Sequence, residues 1–253
     1  MLKTRFIPVL SLILPLVCHA DETLTFSSGF DYSTGKYGAA QSTETLYIPL
    51  SAKYEFGDWT WRATIPYIES TGPSAVSGSG ADRIALDNGQ TARHKAAGLG
   101  DIVLAANRTV WAQGPWLIDL GAKFKLATAD KNEGLGTGKN DYAVQADIYR
   151  TLDSHTVFGT LGYKKMGNPD GLDLKDPFFT SLGWSYRASQ QTSIGLSYDY
   201  RQKITETGAP LSEATGFMTY KFDQHWKVQT YLVTGFSNAS PDLGAGLFVF
   251  YAY

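Results

Sequence analysis

Few side chains in this 253-residue sequence are placed to make or break bonds. Its four histidines, His19, His94, His155 and His225, never fall at a metal-ligand spacing such as H-E-x-x-H. None has a serine two residues on, the spacing some lipid hydrolases use, and Ser154-His155 are neighbours in a turn, where no triad hydrogen bond can form. Gly134-Leu-Gly-Thr-Gly138-Lys139 resembles a phosphate loop superficially, but Glu133 stands where the first glycine belongs and Asn140 where the Ser or Thr belongs. Asn107-Arg108-Thr109 matches a glycosylation sequon only by accident, because it sits inside a strand pattern. No catalytic residue, cofactor or metal is therefore expected, and the chain is read as not an enzyme.

What the sequence does hold is a dispersed set of charges: Lys53, Glu55, Arg62, Asp101, Asp119, Lys123, Lys125, Asp147, Lys164, Arg187, Asp199 and Arg201. Each falls on the polar side of a segment that alternates with period two. Leu46, Ile48, Leu50, Ala52 and Tyr54 alternate with Thr45, Tyr47, Ser51, Lys53 and Glu55, and Trp59, Trp61, Ala63, Ile65 and Tyr67 with Thr60, Arg62 and Thr64. Ile118, Leu120, Ala122, Phe124 and Leu126 oppose Asp119, Gly121, Lys123 and Lys125; Ile194, Leu196, Tyr198 and Tyr200 oppose Ser193, Gly195, Ser197, Asp199 and Arg201. Such segments recur from residue 21 onward, with weaker ones around 213–222, 226–236 and 243–253. They make about twelve strands, an even number of the kind bacterial barrels use.

The first twenty residues read as a secretory leader. Lys3 and Arg5 precede an apolar run from Phe6 to Val17, and Cys18-His19-Ala20 offers a small-residue cleavage site before Asp21. The run is shorter than the ~20 residues of a membrane-spanning helix. Val17 is too large for a lipoprotein signal acylated at Cys18, so cleavage after Ala20 is expected. The only cysteine leaves with the leader, which excludes thiol chemistry and disulfides. Without Lys3 and Arg5, 20 basic residues remain of 22, against 24 acidic ones, a net charge of −4 with no suggestion of nucleic-acid binding.

Connections alternate in length. Short turns fall at Gly57-Asp58, Ala112 to Pro115, Asp153-Ser154, Ser189 to Gln191 and Asp223 to His225, with longer loops at 34–42, 70–97, 127–139, 166–176, 203–210 and 237–242. An up-and-down barrel with short periplasmic turns and long extracellular loops has this pattern. Trp59, Trp61, Trp111, Trp116, Trp184 and Trp226 lie near the short turns, as an inner aromatic girdle at the headgroup boundary would. The chain ends on Leu247, Val249, Tyr251 and Tyr253, matching the alternate apolar residues and terminal aromatic that the barrel-assembly machinery reads.

The fold class expected is all-β: a transmembrane up-and-down antiparallel β-barrel over 21–253, in the outer membrane, in contact with its lipid. A soluble periplasmic barrel with an apolar interior is the competing reading. Against it, the polar faces mix Gly, Ser and Thr with charges, as a wet lumen would, and every backbone group in a bilayer must be paired, which closes the sheet. The inward charges either pair across the lumen or form a charged constriction, and their near balance of sign implies no strong ion preference. The loop 70–97, with Gly72-Pro73, Gly78-Ser79-Gly80 and Asp87-Asn88-Gly89, is long enough to fold into the mouth as a constriction or lid, or to stay on the surface.

Gly98-Leu-Gly-Asp-Ile102, Lys125-Leu-Ala-Thr-Ala-Asp130 and Gly134-Leu-Gly-Thr-Gly-Lys-Asn-Asp141 resemble the motifs of the outer-membrane transporter family labelled for the meta-pathway of phenol degradation. That family carries G-x-G-D-[IL], K-x-P-T-G-D and G-x-G-x-x-D, and here Ala127 and Ala129 replace the usual Pro and Gly. The resemblance implies a barrel passing small organic solutes, aromatic ones included, and no binding residue is carried over. Asp130 and Asp141 are read as residues that hydrogen-bond loop amides. A monomeric channel is thus expected, with a structural or surface-interaction barrel of closed lumen as the alternative.

Overall fold

The computed structural model describes residues 22–86 and 94–253. The leader and Asp87-Asn88-Gly89 lie outside the described residues. The wall is built from β1 (Thr23–Gly35), β2 (Thr43–Phe56) and β3 (Trp59–Gly72), then, beyond an insertion, β6 (His94–Leu99) and β7 (Ile102–Gln113). It continues with β8 (Trp116–Leu126), β9 (Asp141–Leu152), β10 (His155–Lys165), β11 (Phe178–Arg187), β12 (Thr192–Arg201), β13 (Leu211–Lys221), β14 (Trp226–Gly235) and β15 (Leu243–Ala252). The insertion holds a small hairpin of β4 (Ala75–Ser77) and β5 (Ile84–Leu86) with one 3-10 turn, Gly80–Asp82, between them.

Neighbours in sequence pair antiparallel throughout, and β1 pairs with β15, from Thr25 opposite Ala252 to Thr34 opposite Leu243, which closes the sheet. β6 and β7 both pair with β3 and are halves of one wall strand broken at Gly100-Asp101, so the closed wall has twelve strands among the described residues. The break gains its own support: the Gly100 N–H donates to the Pro66 carbonyl at 2.8 Å. Short turns at one rim are tight, with Gly57 and Gly114 at φ 54° and 56°, where a Cβ is disfavoured.

Alternation sets the two faces. Phe26, Phe30, Leu50, Leu120, Leu161, Leu182, Leu196 and Leu232 are exposed on the outside, whereas Thr25, Asp31, Lys53, Thr60, Asp147, Thr160, Thr215 and Gln229 are buried within. A water-soluble protein would bury the first set. All six tryptophans are exposed at the short-turn end, and Trp184, which the sequence places farther from its own turn, reaches the neighbouring one by donating from Nε1 to His155 Nδ1 at 3.2 Å. A bulge between Thr109 and Trp111 turns Val110 and Trp111 both outward.

The interior is not uniformly polar. Leu117, Tyr149, Phe158, Phe217, Tyr231 and Val233 form an inward apolar cluster with Phe248 against it. Several of these rings lie over glycines directly opposite on the next strand: Phe158 over Gly183, Phe217 over Gly195, Tyr231 over Gly246. Residue-by-residue alternation hides this pairing, because each ring needs its glycine partner from another strand to fit. The Phe158 ring leaves no room for a Cβ at Gly183. Gly183→Ala should therefore cost about 1–3 kcal/mol by overpacking, read as an earlier midpoint in urea unfolding from lipid vesicles.

Candidate functional site

The insertion between β3 and β6 folds into the bore. Its inward course begins at Ser74, whose N–H donates to Thr43 Oγ1 at 3.1 Å, and continues with Val76, Ser79, Arg83 and Ile84, all buried. Arg83 crosses to the far wall: Nη1 meets Glu213 Oε1 at 2.8 Å, with side chains 1% and 3% exposed. Its carbonyl accepts from Arg201 Nη1 at 2.6 Å. Asp82 is held from another side, by Lys123 Nζ at 3.0 Å and Lys164 Nζ at 3.5 Å. Burial pushes the Asp82 carboxyl up, but Lys123, Lys164 and Arg201 outweigh this and hold it well below the usual carboxylate range. Ile84 packs with Met166, Leu174 and Ile204 from two other long connections, so the long-loop mouth and the inserted segment share one small apolar core.

This segment parts two cavities. One of about 130 Å³ touches Tyr47, Ile68, Ile84, Leu135, Phe248 and Phe250. The other, about 50 Å³, touches Asp31, Arg83, Phe179, Asp199, Glu213 and Tyr231. Ser79, Asp82, Lys123, Lys164 and Phe248 border both. The Asp82 pin is thus the partition of the bore.

The charges expected to face inward lie on the inner side of the wall, Asp101 at the break between β6 and β7 and the others within strands, and most are brought together in groups. Lys53 and Glu55 pair at 2.7 Å near the short-turn rim, on the same inner face as Arg62. Lys125 contacts Asp101 at 3.0 Å and Asp141 at 3.1 Å, and Lys164 reaches Asp141 at 3.6 Å. Asp147 accepts from Thr160 Oγ1 at 2.6 Å and Gln145 Nε2 at 2.7 Å, and Asp199 from Ser197 at 3.3 Å. Asp119 is buried on the same inner face. Arg187 stands apart at the rim, donating to the Asp153 carbonyl at 3.2 Å.

The hairpin-motif residues tie the outer loops to this network. Asp101 accepts the N–H groups of Thr128 and Ala129, both at 3.0 Å; Asp130 accepts from Asn132 N–H at 2.8 Å and Asp141 from Gly167 N–H at 3.0 Å. Leu135, within the glycine-rich stretch, is buried against Tyr47 and Ile68. Sequence reasoning missed Asp82, Arg83, Glu213 and Lys227 as inward charges. Lys227 and Glu213 lie in the strands whose alternation is weakest, while Asp82 and Arg83 lie in the insertion, where no period assigns a face.

A closed antiparallel barrel with an apolar exterior and a charged interior has the architecture of an outer-membrane β-barrel. Three solved structures share the barrel fold. An outer membrane channel from Pseudomonas putida F1 superposes with a TM-score of 0.69 at 13% identity, over 94% of this chain and 97% of that one. The NanC porin gives 0.55 at 8% identity over 90% and 98%, and the KdgM porin in complex with disordered oligogalacturonate 0.52 at 9% over 91% and 99%. At these identities the likeness is one of fold. No family model matches the chain, and no curated protein matches it in sequence.

Proposed function

We propose that this chain is a passive channel of the bacterial outer membrane for small organic solutes, delivered there by a cleaved leader and the barrel-assembly machinery. The observation that carries this reading is the inverted surface: hydrocarbon-compatible side chains on the outside of every wall strand and a polar, charged bore within. A bore filled only for stability has no need of two cavities meeting at one ion-paired pin. The motif resemblance to the phenol meta-pathway family supports solutes of small, partly aromatic character, and the apolar lining of the larger cavity suits them.

The insertion favours one alternative, a sealed barrel with a structural or surface role, because Arg83 and Asp82 anchor it to three wall strands. Planar-bilayer recording of the purified protein separates the two. Stepwise single-channel currents are expected, and their absence from a barrel shown by gel mobility to be folded would establish the sealed reading.

A further inference from the structure

The partition of the bore is a carboxylate held between two ammonium groups, and the carboxylate belongs to the inserted segment while the ammonium groups belong to the wall. Asp82 Oδ2 meets Lys123 on β8, and Oδ1 meets Lys164 on β10. These two cations differ from the others nearby in how much they depend on the segment. Lys125 is neutralised by Asp101 and Asp141, both fixed to the wall or its break, and Lys164 keeps Asp141 at 3.6 Å. With Asp82 withdrawn, Lys123 retains the face of Phe179 at 5.9 Å and the longer-range attraction of the Asp147 carboxylate, with no ion pair among those of the described residues. Moving the segment aside thus uncovers a cation whose counter-charge has left with it.

We propose that Lys123 and Lys164 form a carboxylate-binding site that Asp82 occupies when no solute is present, and that the solute which displaces it is a small organic carboxylate with an apolar body. The inference rests on the channel reading above and names the class of solute. An incoming carboxylate replaces Asp82 like for like, so neither ammonium is left unpaired at any stage, which a neutral solute cannot arrange. The apolar body has a place beside the site: Tyr47, Ile68, Ile84, Leu135, Phe248 and Phe250 line the larger cavity, which both lysines border. On the other side the Phe179 ring flanks Lys123. Asp31, Asp199 and Glu213 border the smaller cavity, so a second negative charge directed to that side is disfavoured and a single carboxylate is preferred there.

Benzoate and its uncharged counterpart, benzyl alcohol, are suitable probes. In planar bilayers containing the mature full-length barrel, benzoate should alter the ion current in a saturable way while benzyl alcohol does not. Asp82→Asn removes the internal competitor, so the benzoate concentration giving half the effect should fall by about tenfold or more, as expected when the binding-competent state is no longer a minor one. Lys123→Gln added to Asp82→Asn should abolish the gain, and the gel mobility of the unboiled protein reports whether each variant has folded. The inference is overturned if the channel conducts but benzoate and benzyl alcohol act alike, or if a folded Asp82→Asn barrel keeps the unaltered half-effect concentration. Absence of current from both the unaltered barrel and Asp82→Asn would instead overturn the channel reading, and the carboxylate site with it.

Discussion

Removal of the inserted segment is expected to raise single-channel conductance several-fold. The substitution is easy to make without disturbing the wall, because Gly72 and His94 are register partners across β3 and β6, so an Asn-Gly turn can join them in place of residues 73–93. What leaves with the segment is the partition at Asp82 and the crossing arm of Arg83. A smaller change tests the same point. Arg83→Ala removes the ion-pair partner of Glu213 in a site where both are nearly inaccessible, leaving the carboxylate the attraction of Arg201, and breaking such a pair costs at most about 3–5 kcal/mol when it is fully buried, against about 0.2–1 kcal/mol when it is exposed. Even about 1.4 kcal/mol would shift the occupancy of the inserted position tenfold. Arg83→Ala should therefore show frequent excursions to the conductance of the shortened barrel, visible in single-channel traces. If the shortened barrel conducts no better than the intact one, the restriction lies lower, at the cluster of Tyr149, Phe158 and Phe217.

Sequence reasoning left open whether the long loop folds into the mouth or stays on the surface, and what anchors it inside was beyond its reach, for a physical reason. Alternation is a local property, legible over five or six residues, and it assigns a face to Lys53, Asp119 and Asp147 because each stands between two apolar neighbours. The strand count and the alternation of short turns with long loops are local in the same sense. The anchors of the insertion are not. Lys123, Lys164 and Glu213 are 41, 82 and 130 residues from the groups they hold, and nothing between them marks the pairing. Tyr231 and Asp31, joined at 2.5 Å, are 200 apart. A barrel brings the first and last strands together, so its interior contacts are set by closure, and closure is a property of the whole chain.

The inward aromatic rings illustrate a second kind of illegibility. Phe158 sits among the inward Thr156, Thr160 and Lys164 of β10 and Phe217 among the inward Glu213, Thr215 and Thr219 of β13, and by alternation alone both look like defects in the pattern. The defect is resolved across the strand pair, where Gly183 and Gly195 stand opposite and make space. Local period gives the face, and cross-strand register gives the volume available on that face.

A large effect on global stability is also expected on the outer wall. Leu182 lies mid-strand in β11 with its side chain outward and 64% exposed, between Gly159 on one neighbour and Tyr198 on the other. In a bilayer this position meets hydrocarbon, and Leu182→Arg should lower the unfolding free energy by about 2–4 kcal/mol, the range for a guanidinium near the midplane. The adjacent residue is the internal control. Ser181 faces the smaller cavity and stands in register with Asp199, so Ser181→Arg places the same group near water and a carboxylate and should cost far less. Urea titration of both variants in lipid vesicles makes the comparison, and the difference between neighbours matters more than either value, since propensity and chain-length effects are common to both. A water-soluble barrel gives the opposite order: an outward arginine would be solvated and harmless, while an inward one would disrupt the packed interior. Equal or inverted costs at 181 and 182 would therefore remove the membrane from the account, and with it the reason for a polar bore, because only a barrel surrounded by hydrocarbon has cause to keep its leucines out and its charges in.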